Sequence, residues 1–512
     1  VKTDINYDIL VYLPSDIETI KGENILTDDF QMGSFAMVVA EGLPSKEVIK
    51  LEEKFKNIDT VQNVISIDDL TGTTIPTQIS PSKVKETLQN DNGTLILVTF
   101  ANSTSDDATL NAVSEMRNIV DKNVKIGGMS AMVLDTKELF NSEMALYVAI
   151  AAILCVLVLE IALDSYLVPI LLMVNIGIAI LFNMGSNIFL GNISYITKAI
   201  AAVLQLGVTT DFSIFLYHKY EKAKEKYKSC EEAMSNAIYE TMVSVVGSSL
   251  TTIAGFLALC TMNLTLGKDI GIVMAKGVLI GVICVLTFFP ALLLVFDKAI
   301  DKTKHKQLLP EFKKVKEFVM KFYKPIFVVF IILLIPAYLA QTKTSVYYKL
   351  DESIPDDYGY SIATKTLKED FGMVSQEMVL VKADMKDYKI NQMIEEIKDV
   401  EGVNLVLSPA ALSKYGISQT IIPKDIKEIF QTDNYKIIII GSDYDIATNE
   451  LNAQIEDVKK IVKSYDEEAI LAGEGPLMKD LVTTTDEDFK NVNFSSIFII
   501  FIIMLFVLRS IS

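Results

Sequence analysis

The chain has 512 residues, half of them hydrophobic, and a formal net charge of −18. Its apolar residues are gathered in blocks long enough to cross a bilayer, which excludes an ordinary soluble globular protein. The acidic balance and the lack of an extended basic face exclude nucleic acid as a partner.

In chain order, residues 1–142 read as a first α+β domain. Period-two patterns mark strands at "SFAMVVA", "VQNVISI", "TLILVTF" and "NVKIGG", and period-3.6 patterns mark helices over 45–57 and 106–121. A five-helix transmembrane bundle follows over 143–296, with spans near 144–163, 166–184, 195–217, 240–262 and 270–296. The span at 240–262 is the least apolar, being rich in Ser, Thr and Gly.

Residues 297–324 form a basic linker, in which Leu309, Phe312, Val315, Phe318, Val319 and Phe322 recur at helical spacing while Lys313, Lys314, Lys316 and Lys321 point elsewhere. This suits a helix lying in the headgroup layer, or a solvated linker helix. A further span at 325–340, a second α+β domain over 341–490 and a last span over 491–512 complete the order.

In the second domain "EMVLVKA", 389–399, "GVNLVLS", "YKIIIIG", 447–464 and "AILAG" repeat the first domain's series of elements, so each unit is expected to be ferredoxin-like. Pro14 and Pro355 are 341 apart, and Gly128/Gly473, Asp135/Asp480 and Ser165/Ser510 are each 345 apart. A repeat held in that register predicts one more helix before Val1 and four after Ser512.

Charge orients the chain. Residues 1–142 carry 12 Lys/Arg against 22 Asp/Glu, whereas 297–324 carry 9 against 4. Lysines flank the cytoplasmic ends of membrane segments, so both α+β domains are expected outside the cytoplasm of a multi-pass plasma-membrane protein. These domains contain no cysteine, so no disulfide framework is expected in them.

Asp211 lies inside an apolar helix, where a carboxylate is costly unless it faces protein or water. It suits a proton relay, loading and releasing a proton as its surroundings alternate, or else structural pairing with Ser, Thr or Lys. Ser244, Ser248, Thr251, Thr252 and Gly255 make a small, weakly polar stripe on the next helix, read either as packing or as part of a hydrated proton path. Gly207 is read the same way. Lys276 stands within "DIGIVMAKGVLIG", where its ammonium either snorkels into an outer vestibule or pairs with a carboxylate. Lys198 and Lys268 are expected at the interface, and Glu160, Asp164 and His218 at the cytoplasmic end, where His218, seven residues after Asp211, is read as interfacial or as a proton exit. His218 and His305 fit neither zinc spacing nor a triad, and "LGK" at 266–268 is not a P-loop, so neither an enzyme nor a cofactor is expected.

The segments "LQLGVTTDFSIFLYHKYEKAKEK", "ETMVSVVGSSLTTIAGFLAL" and "GVLIGVICVLTFFPALLLVFD" resemble the central helices of the RND superfamily, in its MMPL-type hydrophobe-exporter branch. The resemblance spans nearly the whole chain and implies a fragment lacking the first and the last four membrane helices. The architecture also fits secretion-accessory and sterol-sensing relatives. In the resembled family this helix carries an Asp-Tyr pair; Asp211 matches the acid, but Phe212 stands at the tyrosine's place. The implied activity is proton-motive-force-driven export of lipids or other hydrophobic molecules, with membrane lipids, a lipid or hydrophobic small-molecule substrate and protons as partners, and a homo-oligomer allowed. The rival readings are a non-catalytic module that assists protein translocation or senses lipid, and a receptor.

Overall fold

The structure is a computed structural model that describes residues 3–66, 89–306, 313–341, 353–414 and 424–508. After helix α1 (Glu18–Asp28), the first sheet unit runs β1 (Ser34–Glu41), α2 (Ser45–Lys56), β2 (Val61–Ile65), β3 (Gly93–Phe100), α3 (Asp107–Ile119) and β4 (Val124–Gly127). Its antiparallel order is β2-β3-β1-β4. Alternation along β1 decides its faces: Ala36, Val38 and Ala40 pack on Val48, Leu51 and Phe55 of α2 and Leu110, Val113 and Met116 of α3. Asp106 caps α3 by accepting from the Ala108 amide at 2.8 Å.

Helices α4 (Met129–Ala162), α5 (Leu167–Gly185), α6 (Tyr195–Lys224), α7 (Cys230–Ala258), α8 (Thr265–Leu286), α9 (Phe288–Lys302) and α10 (Lys313–Gln341) follow. The second unit begins with α11 (Gly359–Phe371) and continues through β5 (Ser375–Lys382), α12 (Asp387–Lys398), β6 (Val403–Leu407), β7 (Tyr435–Ser442), α13 (Asn449–Tyr465), β8 (Ile470–Gly473) and α14 (Glu474–Leu508). Its sheet order, β8-β5-β7-β6, is that of the first sheet read from the other edge. Val379, Val381, Ile438 and Ile440 pack on α12 and α13 through Ile390, Met393, Leu451 and Val458.

The second face of each sheet is covered by the other half. Leu26 of α1 and the following Phe30 lie on Met378, Leu380, Ile437 and Ile439, while Leu367 and Phe371 of α11 lie on Met37, Val39 and Leu95. Small residues set both crossings: a Cβ on Gly22 would stand 2.7 Å from that of Ala472, and one on Gly127 would stand 3.1 Å from that of Ala363. Gly22 and Ala363 are 341 apart, and Gly127 and Ala472 are 345 apart, the two offsets of the repeat. Each crossing therefore holds one glycine and one alanine, with the roles exchanged.

Among the described residues, seven helical segments are long and apolar enough to cross a membrane: Met129–Ala162, Leu167–Phe189, Tyr195–Lys224, Cys230–Thr261, Thr265–Lys302, Lys313–Gln341 and Glu474–Leu505. The expected boundaries at 142/143 and 490/491 fall inside α4 and α14, which run unbroken for 34 and 35 residues from the two sheets. Each starts at a glycine with positive φ, Gly128 at 88° and Gly473 at 106°. These glycines turn the chain from edge strand to helix without a loop.

The boundary at 324/325 likewise falls inside α10. Its break lies at Phe322, three residues before Pro325, and the α8/α9 break lies at Thr287, three residues before Pro290. Proline loses its amide donor and crowds the preceding turn, which accounts for both positions. Leu309 and Phe312 of the basic linker, and Ser510 of the repeat, lie outside the described residues.

Candidate functional site

Asp211 lies 16 residues after Tyr195 in the 30-residue α6, near the middle of the span. It is exposed on a face that no described residue covers, and it makes no hydrogen bond or ion pair among the described residues. Its immediate neighbours two positions away, Thr209 and Ser213, are buried, because a two-residue step rotates a helix by about 200°. Thus α6 carries one polar edge outward and another into the bundle.

Helix α7 returns antiparallel beside α6, and Lys219 pairs with Glu240 at 2.9 Å. Carried along the two helices, that register puts Phe215 near the level of Ser244 and Asp211 near that of Ser248. Ser244 and Ser248 are exposed. The Thr251 and Thr252 hydroxyls donate to the Ser248 carbonyl at 2.7 and 3.1 Å, so they serve their own helix rather than a partner. Gly207 is exposed one turn above Asp211, Gly255 lies beside Ile500 of α14, and Phe212 is half-buried among apolar neighbours. His218 is exposed beside Tyr217.

Lys276 turns inward. Its ammonium donates to the Asn183 carbonyl at 3.0 Å and to Asn187 Oδ1, at the C-terminal end of α5 where the unpaired carbonyls favour a cation. It forms no ion pair with a carboxylate among the described residues. Lys198 stands over the Phe140 ring, and Asp164 accepts from the buried Tyr217 hydroxyl at 2.7 Å.

Sequence reading did not single out the clusters that lock the two ends of the bundle. At the α9 end, Asp297 accepts from Tyr220 and Lys224, both at 2.8 Å, and Lys224 and Lys304 share Asp301 and Glu221. At the end nearer the sheets, Asp269 accepts from the Ser194 amide and the Thr197 hydroxyl at 2.8 and 2.6 Å. The buried Asp488 of α14 accepts from the amides of Asn263 and Leu264 at 2.8 and 2.7 Å, just ahead of α8. That contact joins the helix leaving the second sheet to the bundle.

Each long helix is also gripped by the leading helix of the other half. Buried Asp135 of α4 pairs with Arg117 and accepts from the Tyr360 amide at 2.7 Å, while Asp480 of α14 accepts from the Thr19 hydroxyl at 2.6 Å. Glu23 of α1 accepts from the Gly473 amide at 3.2 Å, and burial pushes its carboxyl up to about 7. Burial likewise raises Asp8 to about 6 and Glu377 of β5 to about 8.

Among the described residues, seven helices of spanning length and apolarity packed with two interlocked sheets define a polytopic membrane protein built as an internal repeat. The sequence pattern of the MMPL family matches residues 12–320 and 353–512, so the chain belongs to that family. It is 27% identical over 284 residues to the putative membrane protein ActII-3 of Streptomyces coelicolor, covering 50% of this chain and 40% of that protein. It is 22% identical over 355 residues to the siderophore exporter MmpL5 of Mycobacterium tuberculosis, covering 64% and 36% respectively. With the apo-petrobactin exporter of Bacillus anthracis it shares 24% over 299 residues, covering 54% and 37%. The chain thus spans well under two thirds of the length of these relatives.

Proposed function

We propose that this chain is part of a proton-motive-force-driven exporter of lipids or other hydrophobic or amphiphilic molecules, with both sheets outside the cytoplasm as ferredoxin-like, porter-type domains. The observation that carries the reading is Asp211, an ionisable group midway along a spanning helix on a face without a partner among the described residues. Such a position tolerates a carboxylate when it is protonated or meets water or a second polar surface. Two relatives named as exporters, one of a siderophore and one of apo-petrobactin, favour export. The strand orders favour the ferredoxin-like reading.

Protonation at Asp211 would alter how the α6/α7 hairpin packs, and α14, which packs along α7, would carry that change to the sheets. Efflux of a fluorescent lipid from cells expressing the complete protein is expected to stop with a protonophore and with Asp211→Asn. Flux that persists under both would remove proton coupling. Absence of any carrier-dependent flux, with the sheets still binding lipid or a translocating protein, would favour the non-catalytic module.

A further inference from the structure

On the side of α6 away from Asp211 runs a set of buried polar side chains that the proton-relay reading leaves unused. Gln205, Thr209 and Ser213 recur every fourth residue on α6, and Asn175 and Asn183 stand opposite on α5; all five are buried. Asn183 Nδ2 donates to Gln205 Oε1 at 3.1 Å, Gln205 Nε2 to the Gly277 carbonyl at 3.2 Å, and Asn175 Nδ2 to Ser213 Oγ at 3.4 Å. Lys276 closes the outer end through Asn183 and Asn187. Gly277 and Gly281, one turn apart on α8, make room for the set: a methyl on Gly281 would stand 2.8 Å from Thr209 Oγ1.

The network is not self-sufficient. Asn175 Oδ1 and Asn183 Oδ1 are enclosed and have no hydrogen-bond partner among the described residues. An amide oxygen buried in that way is costly, and ordered water is the usual remedy where the lining is polar. The Lys276 ammonium is a second reason, because its protein partners are neutral oxygens and an intramembrane charge is costly without hydration.

We propose that the seam between α5, α6 and α8 holds a file of bound water that enters past Lys276 and reaches Asn175, separate from the open face of Asp211. The ammonium at the mouth disfavours hydronium and metal cations, so the file hydrates the bundle interior without short-circuiting a proton gradient. Its depth is set by the polar ladder: Asn183 and Gln205 first, Thr209 beside Gly281 next, then Ser213 and Asn175.

Water-edited solid-state NMR of the complete protein in bilayers, with 15N-asparagine labelling, tests this directly. Asn183→Gln and Asn175→Ser assign the two side-chain amide signals. Magnetisation from water is expected to reach both amides at rates like those of surface asparagines. In Gly281→Ala the rate at Asn175 should fall at least threefold while that at Asn183 stays unchanged. Transfer to both amides as slow as to amides without water contact would overturn the water file. Transfer to Asn175 that Gly281→Ala leaves intact would overturn access from the Lys276 end.

Discussion

Glu377 is fully buried in β5, and neither carboxylate oxygen has a hydrogen-bond partner among the described residues. It points to the same side of the strand as Val379 and Val381, into the core beneath α13 and the start of α14, with Oε1 close to Gly475. Burial raises its pKa from the ordinary 4.5 to about 8. Between those values the unfolded chain has released a proton that the folded domain still holds, so stability falls as pH rises through that window and levels off above it. At 1.36 kcal/mol per pH unit, the loss from pH 5 to pH 9 is about 4 kcal/mol, or roughly 10 °C in Tm for a domain of this size. Glu377→Gln should remove that slope: the variant gains little at pH 5 and most at pH 9, measured as Tm of the purified protein in detergent. Because Asp8 and Glu23 titrate in the same direction, the difference between the two curves, rather than the wild-type slope, is the relevant quantity. Parallel curves from pH 5 to 9 would refute the reasoning.

Asp135→Ala removes the acceptor of the buried Tyr360 amide and the ion-pair partner of Arg117, so it should cost about 3 kcal/mol, whereas Asp480→Ala loses one hydroxyl contact and should cost about 1 kcal/mol. Denaturant unfolding of the two variants checks the order, and equal losses would count against the asymmetry of the two grips. Gly22→Ala forces a methyl against Ala472 and should cost about 1–3 kcal/mol, and adding Ala472→Gly should recover much of it by recreating the arrangement at Gly127 and Ala363. A double variant no more stable than Gly22→Ala would show that the two crossings are not equivalent.

The strands were legible because one face of each meets helices of its own unit: the alternation in "SFAMVVA" and "YKIIIIG" is the alternation of Val38 and Ile438 facing inward. Helices α1 and α11 were not read. The buried face of α1 is Thr19, Gly22 and Leu26, two of them without an apolar side chain, so no hydrophobic stripe announces it. Its surface is complementary to a sheet more than 300 residues away, and that relation has no local signature.

In the bundle, the isolated charge of Asp211 stood out against its apolar surroundings. The direction of Lys276 was undecidable from its own helix, since a lysine snorkels or turns inward according to what a neighbour offers; Asn183 and Asn187 decide it. The seam did have a signal, in the four-residue spacing of Gln205, Thr209 and Ser213 and the Gly277/Gly281 pair. Each residue alone looks like ordinary helix packing, and only their juxtaposition across three helices gives them meaning.

Helices α4 and α14 each pass from a sheet into an apolar span without a joint. At 1.5 Å per residue each is a rod about 50 Å long, so a tilt of about 5° at one end displaces the other by roughly 4 Å. Because Tyr360 and Thr19 fasten each rod to the opposite half, neither lever can swing without loading both sheets at once. Torque applied within the lipid is therefore delivered to the two sheets as a single coupled stroke.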